Sequence, residues 1–347
     1  MPSAGLSWGD IAGQDRAVRL LRTALLREQV HHAYLLAGPA GVGKELLARV
    51  FALAANCEVE AAEARPCGAC THCKAIARGN FPDVMWLMPQ TEMIARGLLS
   101  RADLENAPSK EIRVDDVRAL AKRLSYAALR GRRKIALVLP ADAINERAQN
   151  ALLKTLEEPP SATTFLLVSE NPDALLPTIR SRCARVQLAP VAEELIVQRL
   201  LRDGIAEPEA RERAARAQGS FSRALAEQGE RRPLLEEVER ALQAPDERDA
   251  LDLAERHGER DDALDSALSV QAWLRDVLLA QTGAPEQALE LRELRALALE
   301  IAGRYPPPSL LAQAQLCSEV IEALEQNGNG RLQLERLFLG ARELRNV

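Results

Sequence analysis

The most regular pattern of apolar and polar positions lies in the middle of the sequence. Residues 134–139 form a short apolar run with Val and Ile, which is typical of a strand buried on both faces. In residues 145–158 the apolar positions recur at helical spacing, and two prolines follow and stop the helix. A second apolar run covers residues 163–169. This order of strand, helix and strand predicts a parallel pair of strands joined by a right-handed crossover.

Three further apolar runs predict strands at residues 32–37, 81–88 and 184–188, and one amphipathic helix is predicted at residues 15–27. After residue 190 the strand signals end and amphipathic helices follow. These helices are predicted at residues 192–201, 207–217, 220–227, 232–242, 260–279, 285–302, 309–325 and 332–345. The pattern therefore predicts an α/β part followed by an all-α part.

Composition narrows the class of protein. A chain of 347 residues suggests two or three domains, and 47 % hydrophobic with 27 % charged residues is ordinary for a globular protein. The net charge of −5 and the aromatic content of 3 % argue against a chain that grips nucleic acid by itself. Because the sequence shows neither a membrane-spanning run nor a signal peptide, we expect a cytoplasmic protein without a membrane partner, whose six cysteines are not disulfide-bonded.

A basic run precedes the strand predicted at residues 134–139. It consists of Arg130, Arg132, Arg133 and Lys134. We interpret it as a solvated turn, and a contact to DNA phosphate or to a partner protein is the alternative.

A glycine-rich segment, G-P-A-G-V-G-K, connects an apolar run to a helix. Gly38, Gly41 and Gly43 let the backbone curl so that its N–H groups face inward, with the helix N-terminus behind them. Lys44 is then placed to reach a terminal phosphate. The order strand, loop and helix favours a phosphate-binding loop (P-loop) over a glycine turn without a ligand. The next residue is Glu45, however, where a P-loop needs a Ser or Thr hydroxyl for Mg²⁺.

Four cysteines cluster shortly after that helix. Cys57, Cys67, Cys70 and Cys73 follow the pattern C-x9-C-x2-C-x2-C within 17 residues. Four thiolates in two C-x-x-C turns match the tetrahedral coordination of Zn²⁺, and no open coordination position is implied, so the zinc is predicted to be structural. A redox-active C-x-x-C pair and unreactive reduced cysteines are the alternatives. The other two cysteines, Cys183 and Cys317, are isolated and are predicted to be buried or half-buried.

Four short motifs connect the chain to a known family: W-G-D-I-A-G-Q at residues 8–14, I-R-V-D-D-V-R at 112–118, N-A-L-L-K-T-L-E-E-P-P at 150–160 and S-R-C at 181–183. They resemble the AAA+ subunits of the bacterial replicative clamp loader, the gamma/tau and delta-prime chains of DNA polymerase III. The resemblance implies an α/β P-loop domain with a five-stranded parallel sheet in the order 5-1-4-3-2, joined to all-α domains.

The same resemblance implies a division of the chain into domains. Residues 1–190 would form the AAA+ domain, with a zinc module inserted at residues 57–73. Residues 191–231 would form a helical lid, and residues 232–347 a helical collar through which the subunits assemble.

Two further departures from the active members of the family concern ATP. The motor subunits carry Asp-Glu where this chain has Leu139 and Pro140, and Asp142 lies beyond the expected end of the strand. The sensor-2 arginine is expected at Ser222, and Arg223 would point about 100° away from that direction on a helix. Together with the hydroxyl missing from the P-loop, these losses predict a site that is empty or binds ATP or ADP weakly.

Arg182, in the S-R-C motif, is by resemblance an arginine finger that is inserted in trans beside the γ-phosphate of a neighbouring subunit. A finger of this kind neutralises charge that develops in the transition state. A surface arginine in a salt bridge is the alternative.

The sequence therefore resembles a delta-prime-type stator, a non-catalytic component of bacterial DNA polymerase III. The implied partners are gamma/tau and delta, with the sliding clamp and primed DNA reached through the complex. An ATP-hydrolysing motor subunit of the gamma/tau type is one alternative. A zinc-dependent DNA-binding module, with residues 57–73 as the reader, is another.

Overall fold

The computed structural model describes residues 5–101, 104, 107–225, 248–258, 260–285, 288–289, 291, 295–325 and 328–343. The chain divides into two compact units. The first unit comprises residues 1–198 and 219–222, and the second comprises residues 199–218 and 223–347. The helix predicted at residues 232–242 lies outside the described residues. None of the described helices is long and apolar enough to cross a membrane.

The first unit is built on a five-stranded sheet in which all paired strands are parallel. Its strands are β1 (Ala33–Ala37), β2 (Val84–Leu87), β3 (Lys134–Val138), β4 (Thr163–Ser169) and β5 (Ala184–Gln187). The order across the sheet is β2-β3-β4-β1-β5, which confirms the predicted order 5-1-4-3-2. Every residue of the three central strands is buried, as expected for a sheet covered on both faces.

Helices connect the strands of the sheet. In the first part of the chain they are α1 (Asp15–Leu26), α2 (Lys44–Asn56), α3 (Thr71–Ala77), α4 (Gln90–Ala95), α5 (Val114–Ser125), α6 (Glu146–Glu157) and α7 (Pro177–Arg182). Helix α6 begins at a cap, because the Asn145 side chain accepts a hydrogen bond of 3.0 Å from the Ala148 N–H. It buries Leu152 and Leu156 against the core. Helix α7 starts at Pro177 and includes Arg182.

The remaining described elements are helical. They are α8 (Glu193–Arg202), α9 (Glu207–Arg216), α10 (Phe221–Leu225), α11 (Arg248–Arg256), α12 (Arg260–Gln281), α13 (Arg295–Arg304), α14 (Pro307–Glu325) and α15 (Gly330–Glu343). Helices α11 to α15 share one apolar core that includes Trp273, Cys317 and Phe338. Of the helix predicted at residues 285–302, the described part is helical at Arg295–Arg304. Before it, the Leu291 N–H donates to the buried carboxylate of Asp276 at 2.6 Å.

The basic run before β3 is a solvated turn only in part. Arg130 and Arg132 are exposed, as predicted. Lys134 is buried, and its ammonium donates to the carbonyls of Leu124 (2.5 Å) and Tyr126 (2.9 Å) at the C-terminus of α5. The prediction was therefore wrong for Lys134, which caps a helix end whose carbonyls would otherwise lack a donor.

We expect Lys134→Met to destabilise the protein by about 1–3 kcal/mol, because it leaves the two capped carbonyls without their donor. Urea denaturation followed by circular dichroism measures the change. Lys122→Met, at an exposed position of the same helix, is the matched control and should change stability by less than about 0.5 kcal/mol. Equal stability of the two variants would contradict the capping role.

Candidate functional site: a closed phosphate loop, a cysteine cluster and an edge arginine

The glycine-rich loop lies between β1 and α2, at the carboxyl end of the sheet. A side chain at Gly38 would place its Cβ 2.5 Å from the Leu188 carbonyl oxygen, so the loop passes directly over the end of β5. Gly41 has a φ of +71°, a conformation that favours glycine. The strand, loop and helix N-terminus that a P-loop requires are therefore all present.

Lys44, the residue predicted to reach a phosphate, is bonded within the chain. Its ammonium donates to the carbonyls of Gly38 (2.8 Å) and Pro39 (2.5 Å). It also forms an ion pair of 3.4 Å with Glu170, which follows β4. Burial lowers the pKa of Lys44, although the Glu170 carboxylate acts in the opposite direction. The P-loop lysine thus points back at its own loop.

Glu45 occupies the position where a P-loop needs a hydroxyl for Mg²⁺. Its carboxylate accepts two hydrogen bonds from the Arg96 guanidinium, at 2.7 and 3.1 Å. Burial acts to lower the pKa of Arg96, but the pairing with Glu45 outweighs it and the pKa is raised. Arg96 directly follows α4, in the segment for which the sequence suggested no function. The Arg96 guanidinium is thus hydrogen-bonded to Glu45, at the position where a P-loop binds Mg²⁺.

Asp142 is the acidic residue nearest to the missing Asp-Glu pair, and it is fully used in hydrogen bonding. Its carboxylate accepts from the Ser169 hydroxyl and from the backbone N–H groups of Glu170 (2.8 Å) and Asn171 (3.2 Å). Leu139, at the end of β3, is buried. The Asp142 carboxylate is therefore held by the segment that follows β4.

The tip of the loop is covered by residues 219–222, which belong to the same unit. The Phe221 N–H donates to the Gly41 carbonyl at 2.9 Å. A Cβ on Gly41 would lie 2.0 Å from the Ser220 hydroxyl and 2.9 Å from the Ser222 Cβ. Ser222, the position predicted for the sensor-2 arginine, therefore lies against the P-loop, but it brings no positive charge to it.

The four clustered cysteines are brought together as predicted. The sulfur atoms of Cys57, Cys67, Cys70 and Cys73 all lie within 4.8 Å of one another, and no disulfide joins them. Tetrahedral Zn–S bonds of about 2.3 Å place sulfur atoms about 3.8 Å apart, so a small contraction of the cluster would suffice. His72, between two of them in sequence, instead bonds the Asn56 carbonyl at 2.9 Å. These four residues can hold a metal ion.

The protonation chemistry of the cluster also fits a divalent cation. Backbone N–H groups of Ala69 and Cys70 lower the pKa of Cys67 to about 6, so this thiol is ionised at neutral pH. Burial raises the pKa of Cys57 and of Cys73, since a thiolate without a counterion is costly in an apolar site. A Zn²⁺ ion would supply the missing positive charge and favour four thiolates.

Arg182 is the last residue of α7, directly before the edge strand β5. One guanidinium nitrogen, Nη2, lies 2.6 Å from Glu157 Oε1, and the other, Nη1, donates to the Thr178 carbonyl at 3.0 Å. The side chain retains 34 % of its exposure. Arg180, two residues earlier, pairs with Asp173. Arg182 therefore forms a salt bridge, which was the alternative interpretation of this residue. Its side chain is nevertheless partly exposed to solvent.

The structure adds residues that sequence reasoning missed. Arg96, Glu170 and Glu157 each pair with a predicted site residue across a gap of 25 or more positions. Gln14 links the P-loop to the end of β5, because its amide donates to the carbonyls of Val42 (3.3 Å) and Ala189 (2.7 Å). For two of these residues a sequence signal existed, because Gln14 lies in the W-G-D-I-A-G-Q motif and Glu157 in the N-A-L-L-K-T-L-E-E-P-P motif.

Comparison with known proteins places the chain in a family. A model described as "DNA polymerase III, delta subunit" matches residues 13–192, which is more than half of the chain, and one described as "DNA polymerase III, delta subunit, C terminal" matches residues 228–342. The chain belongs to the DNA polymerase III delta subunit family. This confirms the predicted relationship to the AAA+ subunits of the clamp loader.

Individual relatives agree with this assignment. DNA polymerase III subunit delta' of Pseudomonas aeruginosa is 44 % identical over 159 residues, which cover 46 % of this chain and 43 % of the relative. DNA polymerase III subunit tau/gamma of Haemophilus influenzae is 37 % identical over 194 residues, covering 56 % of this chain and 25 % of the relative. The chain thus spans less than half the length of either relative.

A solved structure is similar over most of the chain. It is a DNA polymerase III gamma subunit-related protein from Thermotoga maritima, which covers 93 % of this chain and 99 % of its own, with 16 % identity and a TM-score of 0.46.

We expect Mg²⁺ not to increase the affinity of the purified chain for ATP, because Glu45 is held by Arg96 and supplies no hydroxyl. Titration of a fluorescent ATP analogue with and without added Mg²⁺ measures this. The double variant Glu45→Thr/Arg96→Ala restores the hydroxyl and removes the guanidinium, and should show a Mg²⁺-dependent gain. If Mg²⁺ clearly increased the affinity of the unaltered chain for the ATP analogue, the Glu45–Arg96 pair would not block the Mg²⁺ position.

We expect the purified chain to contain one zinc ion and Cys70→Ser to lose it, with a lower melting temperature, because one of four thiolate ligands is removed. Metal analysis and thermal unfolding measure both effects. Cys317→Ser is the matched control, since Cys317 is buried elsewhere and donates to the Ala267 carbonyl, which a serine can also do. Zinc retained at full occupancy in Cys70→Ser would show that the cluster is not the metal site.

Proposed function

We propose that this chain is the delta-prime-type stator of a DNA polymerase III clamp loader. In this role it does not hydrolyse ATP itself, and it supplies Arg182 to the ATP site of a neighbouring gamma/tau subunit. The assembled loader, with delta, then places the sliding clamp on primed DNA. The family match and the delta' and tau/gamma relatives support the general assignment.

The specific role is supported by the placement of two sites on one sheet. The P-loop follows the carboxyl end of β1, whereas Arg182 precedes the amino end of β5. These strands are parallel neighbours, with Tyr34 opposite Ala184 and Ala37 opposite Gln187. At about 3.3 Å per residue, Arg182 and the P-loop are separated by roughly 15–20 Å. Arg182 is thus too far from its own P-loop to contact a nucleotide there, which supports a role at a site outside the chain.

The charges of the two sites support the same role. In the P-loop, Lys44 and Glu45 have partners within the chain, Glu170 and Arg96, so an incoming Mg·ATP would have to displace them. At the other edge Arg182 is accessible on a short helix. An arginine delivered to a neighbour's γ-phosphate stabilises the charge of the transition state, which for GTPases is worth about 10³–10⁵ in rate.

The remaining parts of the chain have supporting roles in this proposal. The four cysteines hold a structural Zn²⁺, residues 191–231 form the lid, and residues 232–347 form the collar that joins the subunits. DNA and clamp are bound by the complex, in keeping with the net charge of −5 on this chain.

We expect Arg182→Ala to lower the ATPase rate of the neighbouring site by about 10³-fold or more, because the transition state loses its cation. The measurement is the ATPase rate of the reconstituted loader, stimulated by clamp and primed DNA. The expected decrease is the part of that rate which the neighbouring site contributes. Arg180→Ala is the matched control, since this arginine lies on the same helix and pairs with Asp173.

Unchanged clamp loading and ATPase in the Arg182→Ala loader would refute the finger role. Turnover of ATP by the isolated chain, abolished by Lys44→Ala, would favour a motor subunit. Salt-sensitive DNA binding by the isolated chain that is lost with the cysteines would favour a DNA-binding module.

A further inference from the structure

Two helices end side by side at the proposed finger. Glu157 is the last residue of α6 and Arg182 is the last residue of α7, and their side chains meet at 2.6 Å. We propose that Glu157 is a positioning residue for Arg182, which holds the guanidinium in the orientation that a neighbouring phosphate receives. This inference rests on the proposed function, because it concerns how the finger is presented.

Hydrogen bonds and a shared apolar core connect the two helices that carry Glu157 and Arg182. The side-chain amide of Gln149, on α6, donates to the Ala174 carbonyl at 3.2 Å and accepts from the Leu176 N–H at 2.7 Å. These bonds fix the start of α7. Next to Glu157, Leu156 is 1 % exposed, and Ile179 of α7 is fully buried in the same core. The backbone that carries Glu157 is therefore held by packing, and it brings the Glu157 carboxylate within hydrogen-bond distance of the longer Arg182 side chain.

The hydrogen bonds of Arg182 leave it able to bind an anion. A guanidinium has five N–H donors. Glu157 takes one on Nη2 and the Thr178 carbonyl takes one on Nη1, so donors remain on the same planar group for a phosphate oxygen. The two observed hydrogen bonds connect the guanidinium to α6 and α7 and define the orientation of its plane.

The size of the effect follows from exposure. Glu157 and Arg182 retain 50 % and 34 % of their side-chain exposure, so water screens the pair. An exposed ion pair of this kind shifts an equilibrium by about two- to fivefold. Removing Glu157 should therefore slow the neighbouring site by about two- to fivefold, far less than the loss of Arg182 itself.

A double-mutant cycle in the reconstituted loader tests the inference. It compares the unaltered chain, Glu157→Ala, Arg182→Ala and the double variant, with kcat and KM for ATP measured at saturating clamp and primed DNA. We expect Glu157→Ala to lower kcat about two- to fivefold with KM unchanged, because the finger acts in the transition state. In the Arg182→Ala background, Glu157→Ala should have no further effect.

Two controls separate positioning from folding. Glu158→Ala removes the neighbouring exposed carboxylate and should leave kcat unchanged. Glu157→Gln keeps a hydrogen-bond acceptor for Arg182 and should retain more activity than Glu157→Ala. Assembly of each loader is verified by gel filtration and thermal unfolding.

The outcomes distinguish this inference from the proposed function. If Arg182→Ala leaves the rate unchanged, the finger role fails and the inference fails with it. If Arg182→Ala is slow but Glu157→Ala is normal, only the inference fails. An equal effect of Glu157→Ala in both backgrounds would show a general structural role, and a faster Glu157→Ala loader would show that Glu157 restrains the finger; either result overturns positioning.

Discussion

The two charged side chains at the start of α2 form ion pairs with other side chains of the same unit. The arrangement of the P-loop depends on these two ion pairs. Lys44 faces Glu170, and Glu45 faces Arg96. A P-loop that turns over nucleotide keeps its lysine and hydroxyl available for phosphate and Mg²⁺. Here protein groups already pair with both positions, so the strand, loop and helix of a P-loop are kept while Lys44 and Glu45 are engaged within the chain.

The sequence was sufficient to predict the first unit's sheet, because its central strands are continuous apolar runs and their order follows from the family resemblance. The strand at Thr163–Ser169 was predicted with both ends correct. Lys134 was misassigned because a lysine in a basic run is normally solvated, and its bonds to the Leu124 and Tyr126 carbonyls depend on how α5 meets β3. Such a cap across two elements has no signature in a local pattern.

The candidate sites differ in the same way. The cysteine cluster follows from local spacing, since two C-x-x-C turns need little of the fold to bring their sulfur atoms together. The missing hydroxyl at Glu45 and the missing acid at Leu139 could also be recognised from the sequence, because each motif requires a particular side chain at that position. The pairings of Arg96 with Glu45 and of Glu157 with Arg182 could not be predicted, since each depends on how separate elements pack in the fold. Sequence thus indicated what the P-loop lacks, and structure showed what replaces it.

The Glu45–Arg96 pair also couples two positions that are far apart in the sequence. A substitution of Glu45 by Thr alone would leave the half-buried Arg96 with Glu92 as its described acidic partner, at a distance of 3.3 Å. The guanidinium would then remain beside the new hydroxyl, and Leu139 and Pro140 would still stand where the motor subunits carry an acidic pair. A hydroxyl at position 45 therefore meets a cation of the chain unless position 96 changes with it, so the two positions form one structural unit.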